Sequence, residues 1–324
     1  MIKPGAHILI TGGAGFIGSH LTESLLKHNY KITIIDNLDD FYNPEIKKKN
    51  IEAFHKQSNF SFIQDDVRNI STNSNLKLPV DAIIHLAAKA GVRQSTENPE
   101  AHYKANTEAL REVLTFAERH NVPRFIFTSS SSVYGNHPSR PWHEKLEPLQ
   151  PLSPYARSKL ACETMGKAYA EKTGNPFIAL RLFSVYGPRM RPDLAMCLFT
   201  DNILQRKKLK IFGDGTTFRD YTYVKDIVNG IKTCLDVGIQ GFEIINLAGG
   251  KPVGLDEMIS TLQNQLGSRS SKRYLAAHEA ESEGTLADVQ KAKEILDFKA
   301  QTDFPTGVKQ FCEWYAGKYS QKYH

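Results

Sequence analysis

Cysteine is scarce and scattered: the chain has four in 324 residues, Cys162, Cys197, Cys234 and Cys312, none in a CxxC pair. That spacing provides neither a zinc-ligand set nor a disulfide framework. Long apolar runs are missing too. No stretch of about 18 apolar residues occurs, so no segment reads as a membrane-spanning helix. No charged N-terminal stretch leads into a long apolar segment, and a cytoplasmic location is expected. Repeats and low-complexity tracts are absent. Charge of one sign is only mildly in excess, with 41 Lys and Arg against 35 Asp and Glu, a net +6. The densest basic runs, Lys47-Lys48-Lys49 and Arg206-Lys207-Lys208, read as solvated faces. They lack the interleaved aromatic residues of a nucleic-acid groove, and no nucleic-acid partner is expected.

What the sequence does have is an alternation of strands and helices. His7–Thr11 (HILIT) is a short apolar run ending in glycines, a helical pattern follows from Phe16 to Asn29, and Lys31–Asp36 (KITIID) reads as a second strand. This is a βαβ unit of about 30 residues, the sequence form of a parallel sheet with a right-handed crossover. Phe60–Gln64, Ala82–Leu86, Arg124–Ser129 and Phe177–Arg181 continue the series, separated by helical patterns at Pro99–His120 and Ser153–Lys172. The expected fold class is α/β, a Rossmann-like doubly wound parallel sheet with a smaller C-terminal α/β lobe. The expected boundary falls at residues 186/187, with a returning segment near residues 219–232 packed on the first domain. The short strands Lys210–Phe212 and Glu243–Leu247 are placed in the smaller lobe.

Between the first strand and the first helix stands Gly12-Gly13-Ala14-Gly15-Phe16-Ile17-Gly18. Its GxxGxxG spacing suits a dinucleotide. Gly12 permits a tight turn, Gly15 leaves room for a pyrophosphate, and Gly18 lets the helix lie close to the strand. The helix N-terminus, with Phe16 and Ile17 in its first turn, presents free N–H groups to the anion. Asp36, at the end of the second strand with Asn37 beside it, can accept both ribose hydroxyls of NAD and would repel the extra phosphate of NADP. The cofactor expected is NAD. Asp65-Asp66-Val67 follows the third strand, where the Asp66 carboxylate can meet an adenine amino group.

Tyr155 and Lys159 are spaced i, i+4 on one helix face. A phenol with a pKa near 10 is a poor base at neutral pH, and a nearby ammonium favours its ionised form. The pair suits removal of a proton from a hydroxyl undergoing oxidation. A hydroxyl-rich strand end, Ser129-Ser130-Ser131-Ser132-Val133-Tyr134-Gly135, lies upstream.

TGGAGFIGSH, HLAAKAGVR, SSSSVYG, SPYARSKLACE and RDYTYVKD resemble the extended short-chain dehydrogenase/reductase family over about the first 230 residues. The resemblance implies a catalytic triad of Ser130, Tyr155 and Lys159, with Lys159 also on the nicotinamide ribose and Leu86-Ala87-Ala88 along the cofactor cleft. It implies Arg219 on a diphosphate and Phe212 beside the nucleotide base. Dehydratases of the family place Asp-Glu between the catalytic hydroxyl residue and VYG, and its UDP-glucuronate decarboxylases keep a Glu before VYG. Ser131 and Ser132 stand there instead, so the expected outcome is 4-epimerisation of a UDP-sugar. The stretches from Ala90 to Ser95, containing Arg93, and from Phe183 to Asp193 are most similar to those of UDP-glucuronate 4-epimerases. That similarity implies Arg191 and Ser184 on the C6 carboxylate. A 4-epimerase of neutral or N-acetylated UDP-hexoses and a non-catalytic NAD sensor are the competing readings. The segment Ala280-Glu281-Ser282-Glu283-Gly284 departs from the family pattern. The two long helices resemble those that pair members of the family into homodimers.

Overall fold

The computed structural model describes residues 2–276 and 282–323, the last six of them in backbone only. Twelve strands run in chain order: β1 (His7–Thr11), β2 (Lys31–Ile35), β3 (Phe60–Ile63), β4 (Ala82–His85), β5 (Phe125–Ser130), β6 (Phe177–Leu182), β7 (Ser184–Tyr186), β8 (Leu209–Phe212), β9 (Phe218–Tyr223), β10 (Phe242–Leu247), β11 (Pro252–Gly254) and β12 (Lys272–Leu275). Seven form the main sheet in the order β10-β6-β5-β4-β1-β2-β3, every pairing parallel. Helices cover both faces, so the central strands are apolar throughout rather than alternating. In β1, Ile8 and Ile10 enter one core and Leu9 enters the other. The fold is a Rossmann-like α/β sheet, and the order reverses between β1 and β4. A crevice opens there beyond the carboxyl ends of the strands, where such folds bind ligands.

Two elements differ from their sequence reading. Phe242–Leu247 pairs with β6 as the edge of the main sheet, not within the smaller lobe. The helical pattern Pro99–His120 is interrupted by a π turn, Lys104–Glu108, between Pro99–Tyr103 and Ala109–Arg119. Residues 219–232 divide in two. Phe218–Tyr223 joins a three-stranded sheet with β7 and β11, and helix Val224–Thr233 packs against the first helix, Phe16–Lys27. β8 and β12 pair in parallel beside helices Ala195–Leu204 and Leu255–Leu266. Among the described residues, no helix is long and apolar enough to cross a membrane. All four cysteines are buried as free thiols.

Candidate active site

A cavity of about 1180 Å³ opens at the switch point, and every residue that the sequence nominated as a site residue lines it. At its floor the glycine loop is built as the spacing requires. Gly12 has φ +71°, and a Cβ there would lie 2.7 Å from the amide nitrogen of Ala87. A Cβ at Gly18 would overlap the Gly12 carbonyl oxygen. A Cβ at Gly15 would come within 4 Å of that oxygen alone, at 3.3 Å, leaving this side open to the cavity. Gly15 caps the helix Phe16–Lys27 without a side-chain hydrogen bond. First-turn N–H groups therefore remain available to an anion.

Asp36 accepts from the Ala14 amide at 3.1 Å and the Leu38 amide at 2.9 Å. Burial pushes its carboxyl above the usual range, against the nearby Lys47 ammonium. Lys47 corrects the sequence reading: Lys48 and Lys49 are exposed, but Lys47 is buried. It lies 4.9 Å from the Tyr42 ring centroid and donates to the Asp39 carbonyl at 2.8 Å. Its position four residues before buried Ile51 places it on the inward stripe of its helix, a signal that charge alone hides. Asp66 is held by Arg68 at 2.7 Å and caps the following turn, with Val67 buried next to it.

The catalytic candidates come from three elements. Ser153 caps the helix Pro154–Thr173 by accepting from the Ala156 amide, and Pro154 occupies its first turn. Tyr155 and Lys159 therefore stand on its first two turns. The Tyr155 phenol is pushed up by burial, opposed by a hydrogen bond with Ser130 from the end of β5 and by the charge of Arg191. Arg191 thus adds positive charge beside the phenol, a contribution the sequence did not announce. Lys159 is only 3% exposed. Its ammonium donates to the Thr128 carbonyl at 2.7 Å and lies 4.7 Å from the Phe127 ring centroid. Burial lowers its pKa to about 8.

Behind these groups lies a polar cluster that the sequence did not announce. Glu163, four residues after Lys159, accepts from Ser129 Oγ at 2.6 Å and from Arg181 Nε and Nη2 at 2.9 and 2.8 Å. Arg181 also stacks on Tyr134, 4.7 Å from the ring centroid. The cluster ties the catalytic helix to β5 and β6.

At the far wall, Arg191 lies on a loop folded against the first helix, Phe16–Lys27. His20 hydrogen-bonds the Pro188 carbonyl at 2.8 Å, and Arg189 pairs with Glu23 at 2.7 Å. Asp193 takes one edge of the Arg191 guanidinium, Nε at 3.0 Å and Nη2 at 2.9 Å. Sequence reading missed this partner, since RPD could equally be an exposed turn. Arg93 stacks on Phe212 at 3.9 Å, joining the main domain to β8 across the cavity. Arg219, Ser184, Ser282 and Thr285 complete the wall. Asp220, beside Arg219, accepts from the amides of Gly249, Gly250 and Ala287, and so fixes the segment after residue 284. Of the divergent segment, Ala280 and Glu281 lie outside the described residues. No group of three or more His, Cys, Asp or Glu suited to a metal occurs among the described residues.

Fold and site together define a dinucleotide-dependent α/β enzyme. The sequence model of the NAD dependent epimerase/dehydratase family matches residues 8–248, and the chain belongs to that family. It is 37% identical over 311 residues to a UDP-glucuronate 4-epimerase of Thermodesulfobacterium geofontis, covering 95% of each chain. The crystal structure of UDP-glucuronic acid 4-epimerase from Bacillus cereus, in complex with UDP-glucuronic acid and NAD, superposes with a TM-score of 0.90 at 33% identity, covering 97% of this chain and 100% of that one. A UDP-N-acetylglucosamine 4-epimerase from Methanobrevibacter ruminantium, in complex with UDP-N-acetylmuramic acid, superposes with a TM-score of 0.86 at 30% identity, covering 98% and 99%.

Proposed function

We propose that the protein is an NAD-dependent 4-epimerase that interconverts UDP-glucuronate and UDP-galacturonate through a 4-keto sugar. The observation that carries this reading is the convergence of Ser130, Tyr155 and Arg191 in one cavity with the glycine loop. The loop fits the cofactor: Gly15 leaves the space, and the helix N-terminus leaves the amides. Gly12, Gly15, Gly18 and Asp36 would hold it, with Lys159 on the nicotinamide ribose. NAD supplies a reversible acceptor for the hydrogen on C4.

The protein's own part begins with the phenolate of Tyr155, which takes the proton of the 4-hydroxyl. Ser130 donates to the same oxygen. Lys159 and Arg191 supply positive charge around the base. The 4-keto sugar then turns within the cavity and receives its hydrogen on the other face, and Tyr155 returns the proton. Positions 131 and 132 carry no carboxyl group to assist elimination. Arg191 keeps its Asp193-bound edge and offers its remaining N–H groups to the C6 carboxylate, with Ser184 beside it. Arg93, Phe212 and Arg219 are assigned to the nucleotide diphosphate. The competing neutral or N-acetylated substrate is tested by Arg191→Ala. The protein is further proposed to be a cytoplasmic homodimer. The helices Pro99–Arg119, π turn included, and Pro154–Thr173 would form the two-fold contact, which sedimentation at micromolar concentration tests.

Arg191→Ala is expected to lower kcat/KM for UDP-glucuronate by roughly 10²- to 10³-fold, since truncating one partner of a buried charge pair costs about 2–5 kcal/mol. Turnover of UDP-glucose and UDP-N-acetylglucosamine should fall much less, by no more than about tenfold, because they lose only the Arg191 charge beside the Tyr155 phenol and not a carboxylate contact. Chromatographic product analysis with all three substrates reads both. Equal losses on all three would remove the carboxylate role, and a wild type inert on every UDP-sugar would leave the NAD-sensor reading.

A further inference from the structure

We propose that Ser132 is a positioning residue: it fixes the hydroxyl of Ser130 so that the Ser130 proton is directed toward Tyr155 and the reacting oxygen. This rests on the reading above, in which Ser130 and Tyr155 act together on one sugar hydroxyl.

β5 ends at Ser130 in an extended conformation, φ −149° and ψ 144°, and the chain turns at once into the short helix Ser131–Tyr134. Ser130 Oγ caps that helix, accepting from the Ser132 amide at 3.2 Å. The Ser132 hydroxyl donates to the same oxygen at 2.9 Å. A serine hydroxyl has two lone pairs and one proton. A backbone N–H can only donate, so the first lone pair is committed whatever the rotor does. The Ser132 hydroxyl takes the second. Donation is then the only capacity left to Ser130, which lines the same cavity as the Tyr155 phenol and favours that phenol's ionised form. Donation favours the phenolate, whereas a Ser130 with a spare lone pair can accept from the neutral phenol and hold the tyrosine in its unreactive form. One residue thus decides the sense of the bond between two others.

The other groups acting on the phenol are Arg191 from the loop after β7 and Cys162 on the phenol's own helix. Lys159, also on that helix, lines the same cavity. None contacts Ser132 in the hydrogen bonds described above, so a change at residue 132 reaches Tyr155 through Ser130.

The test titrates the NAD-loaded protein at the tyrosinate absorption band, with Tyr155→Phe subtracted, and needs no turnover. Ser132→Ala is expected to raise the Tyr155 midpoint by roughly half a unit to one unit, the scale of one hydrogen bond. Ser132→Thr should restore it. In a Ser130→Ala background, Ser132→Ala should add no further shift. The acidic limb of kcat with UDP-glucuronate should move the same way, slowing turnover about three- to tenfold at neutral pH. Should the alanine variant fail to fold, Ser132→Cys, a weak donor of similar size, gives the same comparison. An unmoved midpoint in the folded variant, or an equal shift with and without Ser130, overturns the proposal. A wild type that turns over no UDP-sugar, with Ser132→Ala still raising the midpoint, would remove the epimerase reading and leave the role of Ser132 standing.

Discussion

Tyr155→Phe should lower kcat for epimerisation by roughly 10²- to 10⁴-fold, the range for loss of a positioned general base, with the cofactor still bound. The phenol stands in the cavity with Ser130 and Arg191, both of which favour its ionised form, and so can take and return the C4 hydroxyl proton. The ring itself stays, so packing and cofactor contacts should survive. The sign of the pH dependence follows from the same group. Burial raises the phenol's pKa, Ser130 and Arg191 pull it down, and the active form is ionised. Turnover should therefore be present above that pKa and fall away as the pH drops through it. Rates across pH for wild type and variant, with NAD content measured alongside, check this. A loss smaller than about tenfold would mean that another group carries the proton.

Arg181→Ala should be the most destabilising single change near the site, by about 3–5 kcal/mol. Arg181 and Glu163 are both nearly inaccessible, at 2% and 4% side-chain exposure. Removing the guanidinium leaves a buried carboxylate whose remaining bond is to Ser129. The pair is costly to bury, but breaking it from one side costs more than the pair is worth. Glu163 sits four residues beyond Lys159, and Ser129 precedes Ser130, so the damage should reach catalysis as well. Urea unfolding gives the stability. The double variant Glu163→Ala/Arg181→Ala should lose less than the two single losses combined, because no orphan charge remains. Simple additivity, or a loss in Arg181→Ala below about 1 kcal/mol, would show that the cluster is not an ion-pair brace.

The main sheet was legible because its strands are buried on both faces and announce themselves as continuous apolar runs bounded by turns. β1 matches its sequence range, and the other expected main-sheet strands shift by about one residue at their ends. β10 was misplaced for a topological reason. Nothing in FEIINL tells which sheet edge it will meet, and it follows β9 and helix Val224–Thr233, which cover other surfaces. The π turn at Lys104–Glu108 leaves no mark in the apolar periodicity. Within the site, glycines at fixed spacing and the Tyr-Lys pair were readable because their geometry is local. Asp193, Lys47 and Glu163 were not. Lys47 and Glu163 owe their places to burial, or to a partner distant in sequence, that their charge would argue against, and the Asp193–Arg191 pair, only two residues apart, reads equally well as an exposed turn. Ser132 was read only for the carboxyl it lacks, whereas its hydrogen bonds give it a positive part.

The central claim is that one hydrogen leaves C4 of the sugar and comes back to C4. UDP-glucuronate deuterated at C4, incubated with the protein in ordinary water, tests it by mass and NMR analysis of the product. The account predicts UDP-galacturonate that keeps the deuterium at C4. Product whose C4 deuterium has been washed out to solvent hydrogen would contradict it.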